Sequence, residues 1–437
     1  MRRLLLAAVL LAVTPGAATS SANRPLLTYA VAPIYVRGGA LSLGLCATDL
    51  NGNTFRLTDP HYNDRQSWSP DGSSIAFVGP ADPPGQDHAI DLFVADAQGQ
   101  DARNLTRNGG RGSPSAVFGW SPDGRELGGN WSGLGSAVFI AKADGTGTRF
   151  LAFTNYGEYV FGNSWSPDGK RILLSRASFS NPIPAVSAID ADGTNERKLI
   201  DKAGWASWSP DGRQFAYVSY IDGRGTGLGV AQADGSNAHL LLQGANTIGQ
   251  PKWSPDGSQL AYLESSNGPN GRLGVVRADG SDARTLSTDA SGTPQWSPDG
   301  SLIAFTRGPW KAPLVAVVKP GGSGEQDVAA GLDPVWRVSA QLPSAGRPCI
   351  VRGTAKADVI HGTNRGDVIL AGPGRDRVYG GRGDDVIVGG LGQDRLFGGA
   401  GDDRFNARDR LRDYVFGGSG RNRAYHDPVD LLSSIKY

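Results

Sequence analysis

Near the end of this 437-residue chain, one position in a nine-residue phase is held by Asp358, Asp367, Asp376, Asp385, Asp394, Asp403, Asp413 and finally Asn422. The phase runs unbroken from Gly353 to Asn406, takes a single inserted residue at Ala407, and resumes. Before the aspartates stand Gly372 and Gly374, Gly381 and Gly383, Gly390 and Gly392, and Gly399 and Gly401. Glycine turns expose backbone carbonyl oxygens, and each aspartate adds a carboxylate. The segment therefore offers oxygen donors at a fixed repeat. Two positions after each aspartate comes an apolar residue, from Ile360 to Phe405, which reads as one short strand per repeat. Other reactive groups are scattered. His61, His88, His239, His361 and His426 fall in no metal-ligand spacing, and no nucleophile elbow, phosphate loop or zinc motif occurs.

A second repeat fills the chain before residue 340. The pentapeptide Trp-Ser-Pro-Asp-Gly begins at Trp68, Trp120, Trp165, Trp208, Trp253 and Trp296, so the unit is 43 to 52 residues long. Alternating apolar runs follow, as in "RQFAYVS" and "SLIAFTR", then a third run closed by a second glycine turn, as in "VFIAKADG", and a fourth short run such as "ARTLS". Four short strands joined mainly by glycine turns form an antiparallel meander. Within the pentapeptide, proline presets φ, aspartate bonds nearby N–H groups and glycine takes the φ > 0 position that closes the hairpin. Turn chemistry accounts for Asp71, Asp168 and Asp211 without a metal. Tryptophan supplies a large surface between neighbouring sheets.

Four-stranded units at this period predict a β-propeller. The pattern "WSPDG…IAF…DADG" resembles the propeller repeats of the TolB family over residues ~34–340. A weaker tryptophan strand, "DPVWRVS" around Trp336, lacks its following turn, and "LSLGLCATDLNG" with "FRLTD" lacks a preceding tryptophan strand. These complementary pieces predict a seven-bladed ring in which the Trp336 strand joins the region of Cys46; a six-bladed ring with loose ends is the alternative. Closure removes exposed sheet edges. Only Cys46 and Cys349 are available for a disulfide. A clasp between them would close a loop of about 300 residues, worth at most ~5 kcal/mol by loop entropy; two buried free thiols are the alternative.

The nonapeptides look like the calcium-binding GGxGxDxUx repeat of the RTX (haemolysin-type) family. The resemblance implies a parallel β-roll that binds Ca2+, an ion that takes six to eight oxygens. Turns two repeats apart would stack, with Asp376 and Asp394 on one edge and Asp367, Asp385 and Asp403 on the other. Lys356 and Arg365 replace the fourth-position glycine in the first two repeats, so those turns are expected to cap the roll. The whole chain is thus expected to be all-β: a leader over 1–22, a propeller over 23–345, a roll over 346–425 and a short tail over 426–437. The propeller has its own core and is expected to fold independently of the roll.

Composition excludes some classes. The formal charge of +1 gives no whole-protein case for nucleic acid or an anionic membrane. Arg2-Arg3, the apolar run Leu4 to Val13 and the small residues that follow read as a secretory signal, and ten apolar residues are too few to span a bilayer. No later run approaches a span. The mature protein is expected to be secreted or periplasmic, and monomeric. Short "SPDG" and "DADG" turns should share one end of the ring, with long varied loops at the other. Phe153, Tyr156, Tyr159, Phe161 and Trp205 lie in the varied segments and are candidates for contacting an envelope or extracellular protein or glycan, or for plugging the ring. TolB itself binds envelope proteins, but no TolB N-terminal domain is evident here, so its partner does not carry over. A non-enzymatic binding role is expected; an oligogalacturonate-lyase-like activity within the ring is the alternative.

Overall fold

The computed structural model describes residues 26–436 apart from 32–33, 37–38, 42–43, 49, 51–53, 59–65, 81–89, 107–112, 134, 222–223, 244–246, 266–270, 310–312 and 338–348. The leader read over 1–22 lies outside the described residues. Among those residues the chain is all-β, with no helix.

Seven antiparallel four-stranded blades can be traced. The first runs through Ser67–Trp68, Ser74–Pro80, Ile90–Asp96 and Arg103–Asn104, and each of the next three is a separate sheet of the same order. The last three are joined, because Arg284–Trp296 and Gln326–Arg337 each pass without interruption from the outer strand of one blade into the inner strand of the next. The seventh blade closes the ring from both ends of the propeller. Trp336 pairs with Leu27, and Tyr29 pairs in turn with Cys46. The expectation of direct pairing between the Trp336 strand and the Cys46 region therefore needs correcting: Leu26–Val31 lies between them. All six of its residues are buried, so it lacks the in–out alternation that marks a half-exposed strand.

The pentapeptides do what their residue types demand. In the first, Ser69 Oγ donates to Asp71 Oδ1 at 2.6 Å, Ser73 N donates to the same oxygen, and Gly72 N donates to Ser69 O. The Ser69 hydroxyl is the main reason the Asp71 carboxyl lies below the usual carboxylate range. Each tryptophan then reaches the blade before it. Indole N–H groups donate from Trp120 to Ser67 O, Trp165 to Gly119 O, Trp253 to Ser207 O, Trp296 to Lys252 O and Trp336 to Gln295 O. Every acceptor is the residue just before the preceding tryptophan. At the seam the link is relayed: Trp68 Nε1 donates to Thr28 Oγ1, which donates to Val335 O. Trp208 is the exception, its indole N–H having no partner while the Arg171 guanidinium lies 4.8 Å from its ring centre.

The roll forms two five-stranded parallel sheets, and strands pair two repeats apart, as Ile369 with Ile387 and Val378 with Leu396. Ile360, Ile369, Val378, Ile387, Leu396 and Phe405 share one dry core. The roll continues beyond residue 425: Leu431–Ser433, within the expected tail, pairs in parallel with Tyr414–Ser419. The expectation of independent cores also needs correcting. Val368 and Val386 of the roll lie in one buried cluster with Leu27, Tyr29, Val31 and Trp336 of the closing blade.

Candidate functional site

The aspartates of the roll are inside it. Asp367, Asp376, Asp385, Asp394, Asp403 and Asp413 are each at most 2% exposed. The two-repeat register stacks them in two rows, each tied by main-chain bonds. Asp358 N donates to Asp376 Oδ1, Asp376 N to Asp394 Oδ1 and Asp394 N to Asp413 Oδ1 along one edge. Along the other, Asp367 N donates to Asp385 Oδ1, Asp385 N to Asp403 Oδ1 and Asp403 N to Asn422 Oδ1. One oxygen each of Asp376, Asp385, Asp394, Asp403 and Asp413 is thereby used. The second, Oδ2 of Asp376, Asp385, Asp394, Asp403 and Asp413, is buried without a partner. A buried unpaired carboxylate is costly unless it is protonated or meets a cation. Burial accordingly pushes Asp385 up to about 8, Asp403 and Asp413 to about 7 and Asp394 to about 6, and raises Asp376.

The free oxygens face a shaped space. A methyl group built on Gly380 would meet both Asp385 Oδ2 and the Gly398 carbonyl, and one on Gly398 would meet Asp403 Oδ2 and the Gly417 carbonyl. Only glycine leaves this gap open between carboxylate and carbonyl. The eight turn glycines from Gly372 to Gly401 all have positive φ, from +90° to +155°. At Gly392 the backbone is closest, for a Cβ there would overlap the Gly374 carbonyl. Among the described residues no three acidic or imidazole side chains converge on one point, so any ion held here takes mostly main-chain oxygens. Orphaned carboxylate oxygens opposite carbonyls fit Ca2+, a hard cation that binds oxygen ligands.

Where a row ends, other groups take that place. Thr363 N and Oγ1 both donate to Asp367 Oδ2, and Thr354 does the same to Asp358. At the far end of one row Asn422 Nδ2 donates to Ser434 O at 3.2 Å and Gly418 O at 3.4 Å. Asp367 was a candidate ligand; its Oδ2, corresponding to the free oxygens of its neighbours, is already bonded, while its Oδ1 is buried without a partner. Asp413 was read only as a member of the phase, yet it carries the same free oxygen.

The ring has two different ends. Ala143 N bonds Arg125 O and Ala191 N bonds Lys170 O, joining each "ADG" turn to the "SPDG" turn of its own blade. At the other end Thr154 N bonds Ser136 O and Phe179 N bonds Gly157 O, tying the connection between the second and third blades to neighbouring loops. Aromatic side chains gather on this second end. Tyr156 (87% exposed) and Tyr159 both pack against Phe179 (61% exposed), at 6.0 and 5.2 Å between ring centres. Phe161 lies parallel to Tyr159 at 6.3 Å, and Phe153 packs on Phe150 at 5.2 Å. Trp205 is also exposed but sits on the innermost strand of the fourth blade, and no ring contact links it to the others among the described residues. Phe179 and Phe150 were missed by sequence reading, although Phe179 stands in a long varied loop where exposed aromatics are informative.

Residues 177–331 match the family model for the TolB beta propeller domain, and residues 352–387 and 379–409 match the RTX calcium-binding nonapeptide repeat. The chain joins a TolB-like propeller to RTX repeats. A protein from Agrobacterium fabrum, described only as uncharacterized, is 30% identical over 167 residues, 35% of this chain and 54% of its own length. The chain thus spans about half of the curated relative it matches. TolB from Acinetobacter baumannii superposes with a TM-score of 0.46 and 19% identity, over 61% of this chain and 66% of that one. An oligogalacturonate lyase in complex with manganese gives 0.50 and 17%, over 69% and 85%. A puromycin-hydrolyzing peptidase from Mycobacterium tuberculosis gives 0.51 and 15%, over 78% and 63%. At these identities the likeness is one of fold alone. A TolB-like propeller with RTX repeats fits a periplasmic or extracellular protein.

The two parts are joined at the ring seam. Cys46 and Cys349 are bonded, with Cα atoms 5.9 Å apart, and Tyr29 and Arg56 of the closing blade contact Cys349 through its sulfur and carbonyl. The RTX register explains which roll residues face the propeller. On the docked sheet position seven of the repeat is Val368 and Val386, followed by Arg404 and Arg423; on the free sheet it is Val359, Arg377, Arg395 and Tyr414.

Proposed function

We propose that this chain is an exported, non-enzymatic binding protein: its RTX roll binds Ca2+, and its TolB-like propeller captures an extracytoplasmic protein or glycan on the loop-bearing end. The observation that carries the calcium reading is the set of buried carboxylate oxygens without partners opposite glycine carbonyls. Asp376, Asp385, Asp394, Asp403 and Asp413 would hold the ions. Bound calcium supplies positive charge between turns that otherwise place carboxylates at the strand spacing of ~4.8 Å. The chain's own residues do the rest: Thr354, Thr363 and Asn422 close the rows, and the N–H ladder fixes each carboxylate so that only Oδ2 is presented. Capture is supported by the exposed cluster around Tyr156, Tyr159 and Phe179, since aromatic side chains are favoured in binding hot spots.

Calorimetric titration of the full chain tests the calcium reading. Binding in the range of extracellular modules, roughly 10⁻⁴–10⁻³ M, is expected. Asp385→Asn with Asp403→Asn should reduce the number of ions bound. An unchanged stoichiometry in that variant, or no heat at all in the parent, overturns the assignment.

A further inference from the structure

The sheet of the roll that faces away from the propeller is unlike the docked one. Six large apolar side chains of the roll are exposed among the described residues: Val359, Leu391, Leu411, Phe416, Val429 and Leu431. Five of the six belong to the free sheet or to the turns that feed it; Leu391 ends Val386–Leu391, a strand of the docked sheet. Val359, Phe416 and Leu431 stand on the strands of the free sheet, while Leu411 and Val429 lie in the turns before Asp413 and Asp430. The same side carries exposed Arg375, Arg377, Arg395, Arg410 and Arg412. Down its middle His361, Tyr379, Phe397 and Phe416 stack nearly parallel at 4.8 to 5.0 Å. Their faces cover one another, so the ladder turns ring edges outward, the positive rim of an aromatic quadrupole. Half-buried acids nearby are engaged with the main chain: Asp409 accepts from Gly392 N, Asp427 from Arg410 N, and Asp430 from Asp413 N.

We propose that this free face of the roll is a peripheral docking surface for an anionic lipid bilayer. Arginines and ring edges suit negative headgroups, and protruding hydrocarbon suits the acyl boundary beneath them. The combination selects among occupants. A soluble polyanion would satisfy the arginines but offers no apolar phase for Val359, Phe416 and Leu431. A second copy related by a two-fold axis would set arginine against arginine. The whole-chain charge of +1 hides this side, because the charge is unevenly placed. The surface is separate from the aromatic cluster on the propeller.

Sedimentation of the full chain with vesicles tests the proposal, in millimolar calcium and with roll structure checked by circular dichroism. Vesicles of phosphatidylglycerol with phosphatidylcholine should carry the protein down, and pure phosphatidylcholine should do so at least about tenfold less. A basic residue near an anionic surface is worth about fivefold in affinity, so R377E/R395E should weaken binding by roughly 20-fold or more. F416S/L431S should weaken it too, and Y156A/F179A on the propeller should not. Equal sedimentation with neutral and anionic vesicles overturns the proposal, as does full binding by R377E/R395E. Full binding by F416S/L431S, with dextran sulfate displacing the vesicles, overturns it in favour of a soluble polyanion.

Discussion

The roll's attachment to the ring seam predicts that calcium stabilises the propeller and not only the roll. Val368 and Val386 are 1% and 0% exposed and share their cluster with Leu27, Tyr29, Val31 and Trp336, from the two strands that close the ring. Burying a valine fully is worth about 1.5–3 kcal/mol, so the pair contributes roughly 3–6 kcal/mol at most. Part of that is spent in ordering the roll against the ring. All ten tryptophans lie between Trp68 and Trp336, so a tryptophan-fluorescence melt reports the propeller alone. Removing calcium should unfold the roll, uncover the seam and lower that Tm by roughly 5 °C, given a few degrees per kcal/mol for a domain of this size. Val368→Asp with Val386→Asp should reproduce the loss in saturating calcium, by placing carboxylates in the apolar contact. Superimposable melts with and without chelator, while circular dichroism shows the roll disordering, would refute the shared core. So would an unshifted melt in the double variant.

Three further outcomes follow from the geometry. Trp165→Phe strips the Gly119 carbonyl of its donor and should cost about 1–3 kcal/mol in denaturant unfolding, whereas Trp208→Phe, with no partner to lose, should cost clearly less; equal losses would refute the inter-blade latch. Tyr156→Ala with Phe179→Ala should weaken partner capture while leaving stability within about 0.5 kcal/mol per site, and an equally large loss from changes in the "SPDG" turns would count against the loop-bearing end. The pH dependence has a definite sign. Asp385, Asp394, Asp403 and Asp413 are raised to between about 6 and 8, so the folded roll in chelator holds protons that the unfolded chain releases near pH 4. Its stability must then fall as pH rises from about 4 to 8, while calcium, which displaces those protons, binds more tightly over the same interval. Calorimetry between pH 5 and 8.5 that shows a constant affinity would contradict this.

Both repeats were legible because each rests on positions where substitution is physically barred. At Gly392 a Cβ overlaps a carbonyl, and at Gly72 φ is +69°, so the glycine phase and the pentapeptide announce themselves without any knowledge of packing. Ring closure was legible from complementary leftovers, and the missing piece was Leu26–Val31. That strand is buried on both faces and has no pentapeptide, so neither period nor turn chemistry marks it. Leu431–Ser433 was hidden for a related reason. Its turn uses Asp427 and Asp430 in place of glycines, with Asp427 N bonded to Asp430 Oδ2, and a side-chain turn breaks the phase that sequence reading follows. The docking of the roll shows at position seven only in part: Val368 and Val386 mark the docked sheet, but Arg404 and Arg423 stand on it too and Val359 on the free one. It becomes readable only once the two-repeat register separates alternate repeats onto opposite sheets, which is a fact of topology and not of local pattern.

The aspartate phase alone would make every sixth position a ligand, and the hydrogen bonds separate members of the series that the sequence treats as equal. A cation-facing oxygen is free only where no protein donor has reached it. In the first two repeats position two is threonine, and its hydroxyl and N–H occupy that oxygen on Asp358 and Asp367. Asn422 replaces the oxygen by an amide that donates to the carbonyls itself, doing with two N–H groups what a cation would do with charge. Asp430 receives Asp413 N and Asp427 N, one on each oxygen. Both rows therefore begin and end on groups whose cation-facing oxygen is met within the protein, although Asp367 Oδ1 is buried without a partner. Between these ends lie Asp376, Asp394 and Asp413 on one edge and Asp385 and Asp403 on the other, each with Oδ2 unpaired. A roll capped at both ends and unsatisfied in its middle can nucleate from its caps without an ion. The five middle turns then cannot stay both ionised and buried unless a cation joins them.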